Sequence, residues 1–368
     1  MGAGALASCA ADCAQAGATS VLVVTSPQIV DLCTPLVRDL DARGIAAMVW
    51  SEVAGEPTRA DLAAAIAVAR ACRADFIVGL GGGSPMDVAK LVAALADGRQ
   101  EFDAVVGIGH LLGRALPLAC VPTTAGTGSE ATPIAILEDE EAQLKKGVVS
   151  EHLVPDFAYL DAELTVSMPR SVTAATGIDA LTHCIEAYAN RLAHPMVDAF
   201  ALEGIRLIAQ NLETACIRPG NLAARDAMLR ASHLGGMCLG PVNTAAVHAL
   251  AYPLGGEFHV AHGVANSLLL PHVLRFNVEA APARYADVAR ALGATAVGDE
   301  RALAHAGIAE IERLSAAIGI EPRLSAFGIS ANALPGMAAA AMTVQRLLTR
   351  NVREVTEADA LAIYEAAL

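Results

Sequence analysis

Up to about residue 165 the chain alternates short β-branched runs with Ala-rich helical stretches; from Pro169 onward only helical periods remain. Strands are expected at 20–25, 45–50, 75–82 and 116–124, and one more near 157–164, with helices over 29–44 and 58–74 between them. Strand–helix alternation of this kind makes a mainly parallel sheet with helices packed on it. Beyond the switch the helical periods fall at 171–190, 196–213, 221–238, 243–252, 263–275, 281–293 and 299–318, with short helices to the end. The expected organisation is therefore an α/β dinucleotide-binding domain over 1–165 and an all-α domain over 166–368, with the boundary near Glu163–Met168. No Ser/Gly linker or internal repeat separates them, so the two are expected to pack closely around a cleft.

Charge narrows the partners. The 25 Lys and Arg stand against 39 Asp and Glu, a net of −14, which argues against nucleic acid and anionic membrane. Aromatic residues make up 4%, so no base-stacking platform is evident. Mean hydropathy is +0.46, but abundant Ala supplies much of it. The charge-free run Ala231–Gly256 is broken by His233, Pro241, Asn243 and His248, and reads as buried helix around a site rather than a membrane span. The opening MGAGALASCAADCAQAG lacks a basic segment and an apolar core, so no signal peptide is expected. The eight cysteines show no CxxC pair and read as reduced core side chains, consistent with a cytoplasmic location.

In DFIVGLGGGSPMDVAK a strand runs into Gly81, Gly82 and Gly83. Ser84 is placed to cap a helix that has Pro85 at its first position, and Asp87 stands at a capping-box spacing. Glycines let a ligand approach the backbone, and exposed N–H groups at a helix start attract a pyrophosphate. The usual GxGxxG is not met, because Ser84 takes the third glycine position. A plain strand–helix turn with a good cap remains open as the alternative. After the next expected strand comes PTTAGTGSE, whose Thr123, Thr124 and Thr127 suit a ribose or a nicotinamide amide.

Asp179 and His183 lie four apart and share a face of any helix they occupy. His248 and His262 flank Pro253, Gly255 and Gly256, an expected break that would fold one helix end back toward the other. One carboxylate and three imidazoles suit a divalent metal such as Fe²⁺ or Zn²⁺, with room for a substrate oxygen. The competing reading is a set of hydrogen-bonded core histidines. A buried isolated Asp is costly unless paired or metal-bound, which favours the metal. His272 is open between core and a supporting place behind the metal.

Taken together, GGGSPMDVAK, PTTAGTGSE, TAATGIDALTHCIEAY and HALAYPLGGEFHVAHGVANSLLLPHV resemble the iron-containing (group III) alcohol dehydrogenase family, from Gly2 almost to the C-terminus. The resemblance implies a dehydroquinate synthase-like architecture, with metal and nicotinamide between an N-terminal α/β domain and a helical one. It implies Asp179, His183, His248 and His262 as ligands of Fe²⁺, with Zn²⁺ as alternative, and Gly81, Gly82, Gly83 and Ser84, with Asp87 in the same loop, as the NAD or NADP pyrophosphate site. Thr123, Thr124 and Thr127 would line the nicotinamide side, with Lys145 near the ribose and Val172 against the cofactor. The implied activity interconverts a small alcohol and its aldehyde or ketone by hydride transfer, in a homodimer or higher homo-oligomer. A maleylacetate reductase-like oxidoreductase, a dehydroquinate synthase-like lyase and a non-catalytic binding protein are the alternatives.

Three departures from the family pattern matter. A β-hairpin usually precedes the GAGAL-like segment, which Met1 almost abuts here, and its lack would weaken a dimer contact. Ser26 stands where an Asp often follows the first long strand; a neutral residue there predicts relaxed choice between NAD and NADP. Tyr252 replaces a second His, four residues after the third ligand, that is proposed to relay a proton. The relay is expected to run through water, ribose hydroxyls or His259, with Tyr252 shaping the pocket.

Overall fold

A computed structural model describes residues 1–139 and 144–368. It forms two compact units: Met1–Thr124 with Gly128–Ser167, and Ala125–Thr127 with Met168–Leu368.

The strands all lie in the first unit: β1 (Ser20–Val24), β2 (Ala46–Trp50), β3 (Phe76–Gly81), β4 (Gly107–Ile108), β5 (Leu118–Pro122), β6 (Ile134–Asp139), β7 (Leu144–Val149) and β8 (Phe157–Ala158). Its helices are α1 (Cys9–Gln15), α2 (Thr34–Asp41), α3 (Arg59–Ala71), α4 (Gly83–Leu95) and α5 (Phe102–Val105). Five strands make a parallel sheet in the order β2-β1-β3-β5-β8. Side chains alternate across a strand, so each face of the sheet carries its own core. Leu22, Val24 and Ile77 pack on one face with Met86, Ala89 and Leu91 of α4. Val21, Val23, Phe76 and Val78 pack on the other with Cys9 and Cys13 of α1 and Leu36 and Leu40 of α2. β3 is buried along its whole length, as a central parallel strand covered on both sides must be. Gly79 lets α4 lie close on it, since a Cβ there would fall 2.8 Å from that of Ala89.

From β1 the chain moves to β2 on one side, then crosses to β3 on the other. Ligands of open α/β sheets bind at such a switch point, beyond the C-terminal strand ends. Ser26 follows β1 there, and Gly81, Gly82, Gly83 and Ser84 end β3 and open α4.

Two features depart from the sequence expectation. β6 and β7 pair antiparallel, and with β4 they form a second, three-stranded sheet. The segment at 157–164 yields only the two residues of β8 before a 3₁₀ turn at Ala162–Thr165. The Asp161 carboxylate explains the stop: it accepts the backbone N–H groups of Gly4, Leu6 and Glu163. A residue holding a turn and the N-terminal segment cannot also extend a strand.

The second unit is helical: α6 (Arg170–Tyr188), α7 (Pro195–Ile217), α8 (Leu222–Leu239), α9 (Ala246–Phe258), α10 (His262–Val278), α11 (Pro282–Ala291), α12 (Glu300–Ile318), α13 (Leu334–Ala341), α14 (Gln345–Leu348) and α15 (Glu357–Ala367). α6 is its centre, buried from Gly177 through Tyr188 and packed by α7, α8 and α10. The expected break at Pro253–Gly256 is not where the chain turns. α9 runs through Pro253, Gly255 and Gly256, and reverses at His259, whose φ of 54° is left-handed. Burial of Val247, Leu250, Ala251 and Leu254 holds the helix against the proline, an instance of packing overriding propensity. Among the described residues, no helix is long and apolar enough to cross a membrane.

Candidate metal and nucleotide sites

In the first unit the glycine loop meets the helix differently from the expectation. α4 starts at Gly83 with Gly82 in the cap position, so Ser84 and Pro85 lie inside its first turn and no side chain caps it. A cap from Ser84 would have filled the N–H groups that an anion needs; with glycine at the cap they stay available. Asp87, expected at the cofactor, is engaged by its neighbours in the fold. Its oxygens accept Ser129 Oγ at 2.7 Å and the Ile136 N–H at 2.9 Å. One turn on, fully buried Lys90 donates to Thr132 O, Thr132 Oγ1 and Ile134 O at 3.1, 3.0 and 2.9 Å. Asp87 and Lys90 thus tie α4 to the segment after the threonine loop.

Thr123 is buried and joins β5 to β3 through its N–H on Gly81 O, and Thr124 touches the space beside Gly82. Ser26 precedes a 3₁₀ turn at Pro27–Cys33 without a side-chain cap bond. Lys145 is exposed on β7 and pairs with Glu56 at 3.0 Å. The first unit also has an open cleft of 750 Å³, but its lining, Arg114, Pro117 and Asp156 among others, lies at the N-terminal ends of β5 and β8, away from the glycine loop.

In the second unit α6 presents Asp179, His183 and Glu186 at i, i+4 and i+7, one face of a helix. α9 contributes His248, and α10 begins with His262. Asp179, His248 and His262 each place a donor atom within 4.8 Å of the other two. Asp179 Oδ1 lies 3.7 Å from His248 Nε2, 3.7 Å from His262 Nε2 and 3.9 Å from His183 Nε2. Metal–ligand bonds of about 2.0–2.2 Å separate tetrahedral neighbours by about 3.3–3.6 Å, so a small contraction seats an ion. Asp179, His183 and His248 are buried, whereas the His262 side chain is 40% exposed and marks the open side.

The back nitrogens are committed. His183 Nδ1 donates to Gly126 O at 3.2 Å, and His248 Nδ1 donates to Glu186 Oε2 at 2.5 Å. Each ring therefore turns Nε2 inward. Gly126 can come this close because a Cβ there would sit 2.6 Å from that of Thr176. Asn266, four residues beyond His262, puts its amide nitrogen 2.7 Å from Asp179 Oδ1, 3.2 Å from His248 Nε2 and 3.3 Å from His262 Nε2. Its own Oδ1 is buried without a hydrogen-bond partner.

The electrostatics ask for a cation. Burial disfavours the charged form of Asp179, yet His183, His262 and His248 hold its carboxyl far below the ordinary range. Burial pushes His183 down, against the pull of Asp179. Burial also disfavours charge on His248, but Glu186 and Asp179 lift it to about 9. Two buried carboxylates thus draw positive charge to the point where the lone pairs meet. A donor set of one carboxylate and three imidazoles fits a divalent ion.

The other expected residues fall outside this cluster. His259 is exposed, and among the described residues no hydrogen bond joins its ring to the cluster. The Tyr252 oxygen accepts Arg346 Nη2 at 2.7 Å. Val172 is exposed in the first turn of α6, Thr127 is half-buried in the short segment that belongs to this unit, and His272 faces Arg275 and Glu312. Glu186, Asn266 and Arg346 were missed from sequence. Helical spacing was signal enough for the first two, at seven from Asp179 and four from His262. Arg346, 94 residues from Tyr252, gave none.

Comparison with known proteins identifies the class. The model for iron-containing alcohol dehydrogenases matches residues 1–162, and that for the C-terminal part of the Fe-containing alcohol dehydrogenase family matches 173–368. Long-chain-alcohol dehydrogenase 1 of Geobacillus thermodenitrificans is 41% identical over 95% of this chain and 90% of its own. The 1,3-propanediol dehydrogenase of Klebsiella pneumoniae is 38% identical over 88% and 84%. A solved 1,3-propanediol oxidoreductase superposes with a TM-score of 0.96 at 36% identity, covering 100% of this chain and 96% of its own. Fold and relatives define an oxidoreductase acting on CH–OH, of dehydroquinate synthase-like architecture. The chain belongs to the iron-containing alcohol dehydrogenase family.

Proposed function

We propose that Asp179, His183, His248 and His262 hold one divalent iron, and that NAD binds with its pyrophosphate on Gly81, Gly82, Gly83 and Ser84, to oxidise a small alcohol or reduce its carbonyl partner. The observation that carries this is the meeting of an aspartate oxygen and two imidazole nitrogens within 4.8 Å, beside a third imidazole whose tautomer is fixed. A sulfoacetaldehyde reductase of Bifidobacterium kashiwanohense, solved in complex with NAD⁺, superposes with a TM-score of 0.89 at 28% identity over 99% of this chain and 95% of its own, which supports NAD. Zinc would suit the same donors.

When bound, the ion supplies a Lewis acid that eases loss of the hydroxyl proton and polarises a carbonyl. The chain's own residues set the conditions. Gly126 and Glu186 fix two rings by their back nitrogens, so neither of those rings has to reorient during turnover. Leu181, Leu250 and Leu269, on the three helices that carry the donors, are all buried. His262, the exposed member, faces the side from which substrate enters. Thr123 and Thr124 offer hydroxyls to the cofactor at the end of β5, and Lys145 and Val172 are assigned to cofactor contact by resemblance to the family. NAD, held at the glycine loop, would supply the hydride acceptor for the carbinol carbon, and water, ribose hydroxyls or His259 would carry the proton away. Eight free cysteines support a cytoplasmic setting, and a homodimer or higher oligomer is the proposed assembly.

His262→Ala and Asp179→Ala test the ligand set. Both should give folded protein with little activity that added Fe²⁺ at ordinary concentrations fails to restore. A stoichiometric ion in the active wild type and unchanged in either variant would refute the assignment.

A further inference from the structure

Glu186 is no member of the ligand set, yet it is 4% exposed and both its oxygens serve one short stretch of chain. Oε2 accepts His248 Nδ1 at 2.5 Å and Oε1 accepts the Val247 N–H at 2.6 Å. Val247 is the second residue of α9, where a backbone N–H has no partner inside its own helix. One buried carboxylate thus holds the backbone at the start of α9 and the side chain of the next residue. Carrying a carboxylate into the interior is costly, and two charge-assisted hydrogen bonds from adjacent residues offset that cost.

The geometry leaves His248 little freedom. A carboxylate only accepts, so Nδ1 keeps a proton and Nε2 is the nitrogen left as donor atom. With Val247 N–H fixed on the other oxygen, the ring cannot turn without moving the helix start. The loop before α9 is held on the same side: Asn190, one turn beyond Glu186 on the way out of α6, donates to Glu186 O at 3.0 Å and to Asn243 O at 3.2 Å. Asn243 has a left-handed φ of 77°, which sets the approach to α9. α6 therefore carries two proposed ligands and, one turn on, the group that aims a third from another helix.

We propose that Glu186 is a positioning residue for the metal centre, acting through His248 by fixing its tautomer, its ring plane and the start of α9. The proposal rests on the metal-centre reading given above. Its consequence is selective. Loss of the carboxylate should weaken the hold on the ion and change the ligand field, beyond any loss of fold stability.

The test is a titration of metal-free protein with cobalt(II) chloride, followed by visible absorption and by the thermal shift on binding. Glu186→Gln keeps size and shape but must aim its NH₂ at either the Val247 N–H or the His248 Nδ1–H. The variant is expected to bind Co²⁺ roughly ten- to a hundredfold more weakly, with an altered spectrum and a smaller metal-induced rise in Tm. Should that variant not fold, Glu186→Asp keeps the charge but is one methylene short of reaching both donors, and it should show the same weakening to a smaller degree. A purely structural role would lower the Tm of the metal-free variant and leave Co²⁺ affinity and spectrum unchanged; that result overturns the proposal. A wild type that takes up no Co²⁺ at one per chain overturns the metal-centre reading instead, which separates the two failures.

Discussion

Tyr252 occupies a position where a proton carrier would be useful, one helical turn beyond His248 on α9, and its environment gives it other work. Its oxygen accepts a guanidinium hydrogen from Arg346, whose carbon lies 5.9 Å from the ring centroid. The pair joins α9 to α14. Tyr252→Phe should therefore hold kcat within about tenfold, about 1.4 kcal/mol or less in the barrier. A far larger fall at unchanged metal content would place the hydroxyl in the proton path. Ser26 is the residue proposed to set cofactor choice. It stands at the C-terminal end of β1 beside the switch point, neutral and half-buried, where an acid would repel a 2′-phosphate. The expected outcome is measurable use of both NAD and NADP, with Ser26→Asp shifting the kcat/KM ratio toward NAD. Rejection of NADP by several orders of magnitude in the wild type, unchanged in Ser26→Asp, would exclude Ser26 as the discriminator.

At the scale of elements, the donor cluster depends on how closely α10 lies on α6. A Cβ on Gly263 would fall 2.3 Å from Ala175 O, a backbone atom that cannot swing aside. Gly263→Ala should cost about 1–3 kcal/mol by forcing the helices apart. Because His262 is its neighbour, the same substitution should also weaken metal retention. Urea denaturation of the metal-free variant and metal analysis read the two effects separately, and an unchanged midpoint would contradict the close-packing argument. The same crossing shows what a linear sequence carries and what it does not. The strand–helix alternation and the helical half were legible, and the four candidate donors could be picked out, because each rests on local period or on residue type. Ser84 as the cap of α4 was a local inference that failed, since Gly82, two residues earlier, takes the cap and leaves the N–H groups open. The break placed at Pro253 failed because burial of α9 outweighs a missing N–H, and the turn fell instead to His259. The β6–β7 hairpin went unseen among the parallel-strand signals. Glu186 was legible in spacing but lacked a reason to be noticed until His248 arrived beside it from 62 residues away.

For the whole molecule, the charge balance and the donor cluster act together. A net of −14 argues against nucleic acid as a partner, and the buried carboxylates of Asp179 and Glu186 favour positive charge among the histidines beside them. The first unit supplies a helix start open to an anion, and the second supplies the cluster of one carboxylate and the imidazoles. The central claim is that turnover depends on one ion held by Asp179, His183, His248 and His262. It is tested most directly by stripping the protein of metal and titrating Fe²⁺ back anaerobically while following NADH formation from a primary alcohol. Activity should be near zero without metal, rise linearly, and level off at one ion per chain. Full activity in the metal-free protein, or a rise that continues well past one equivalent, would contradict it.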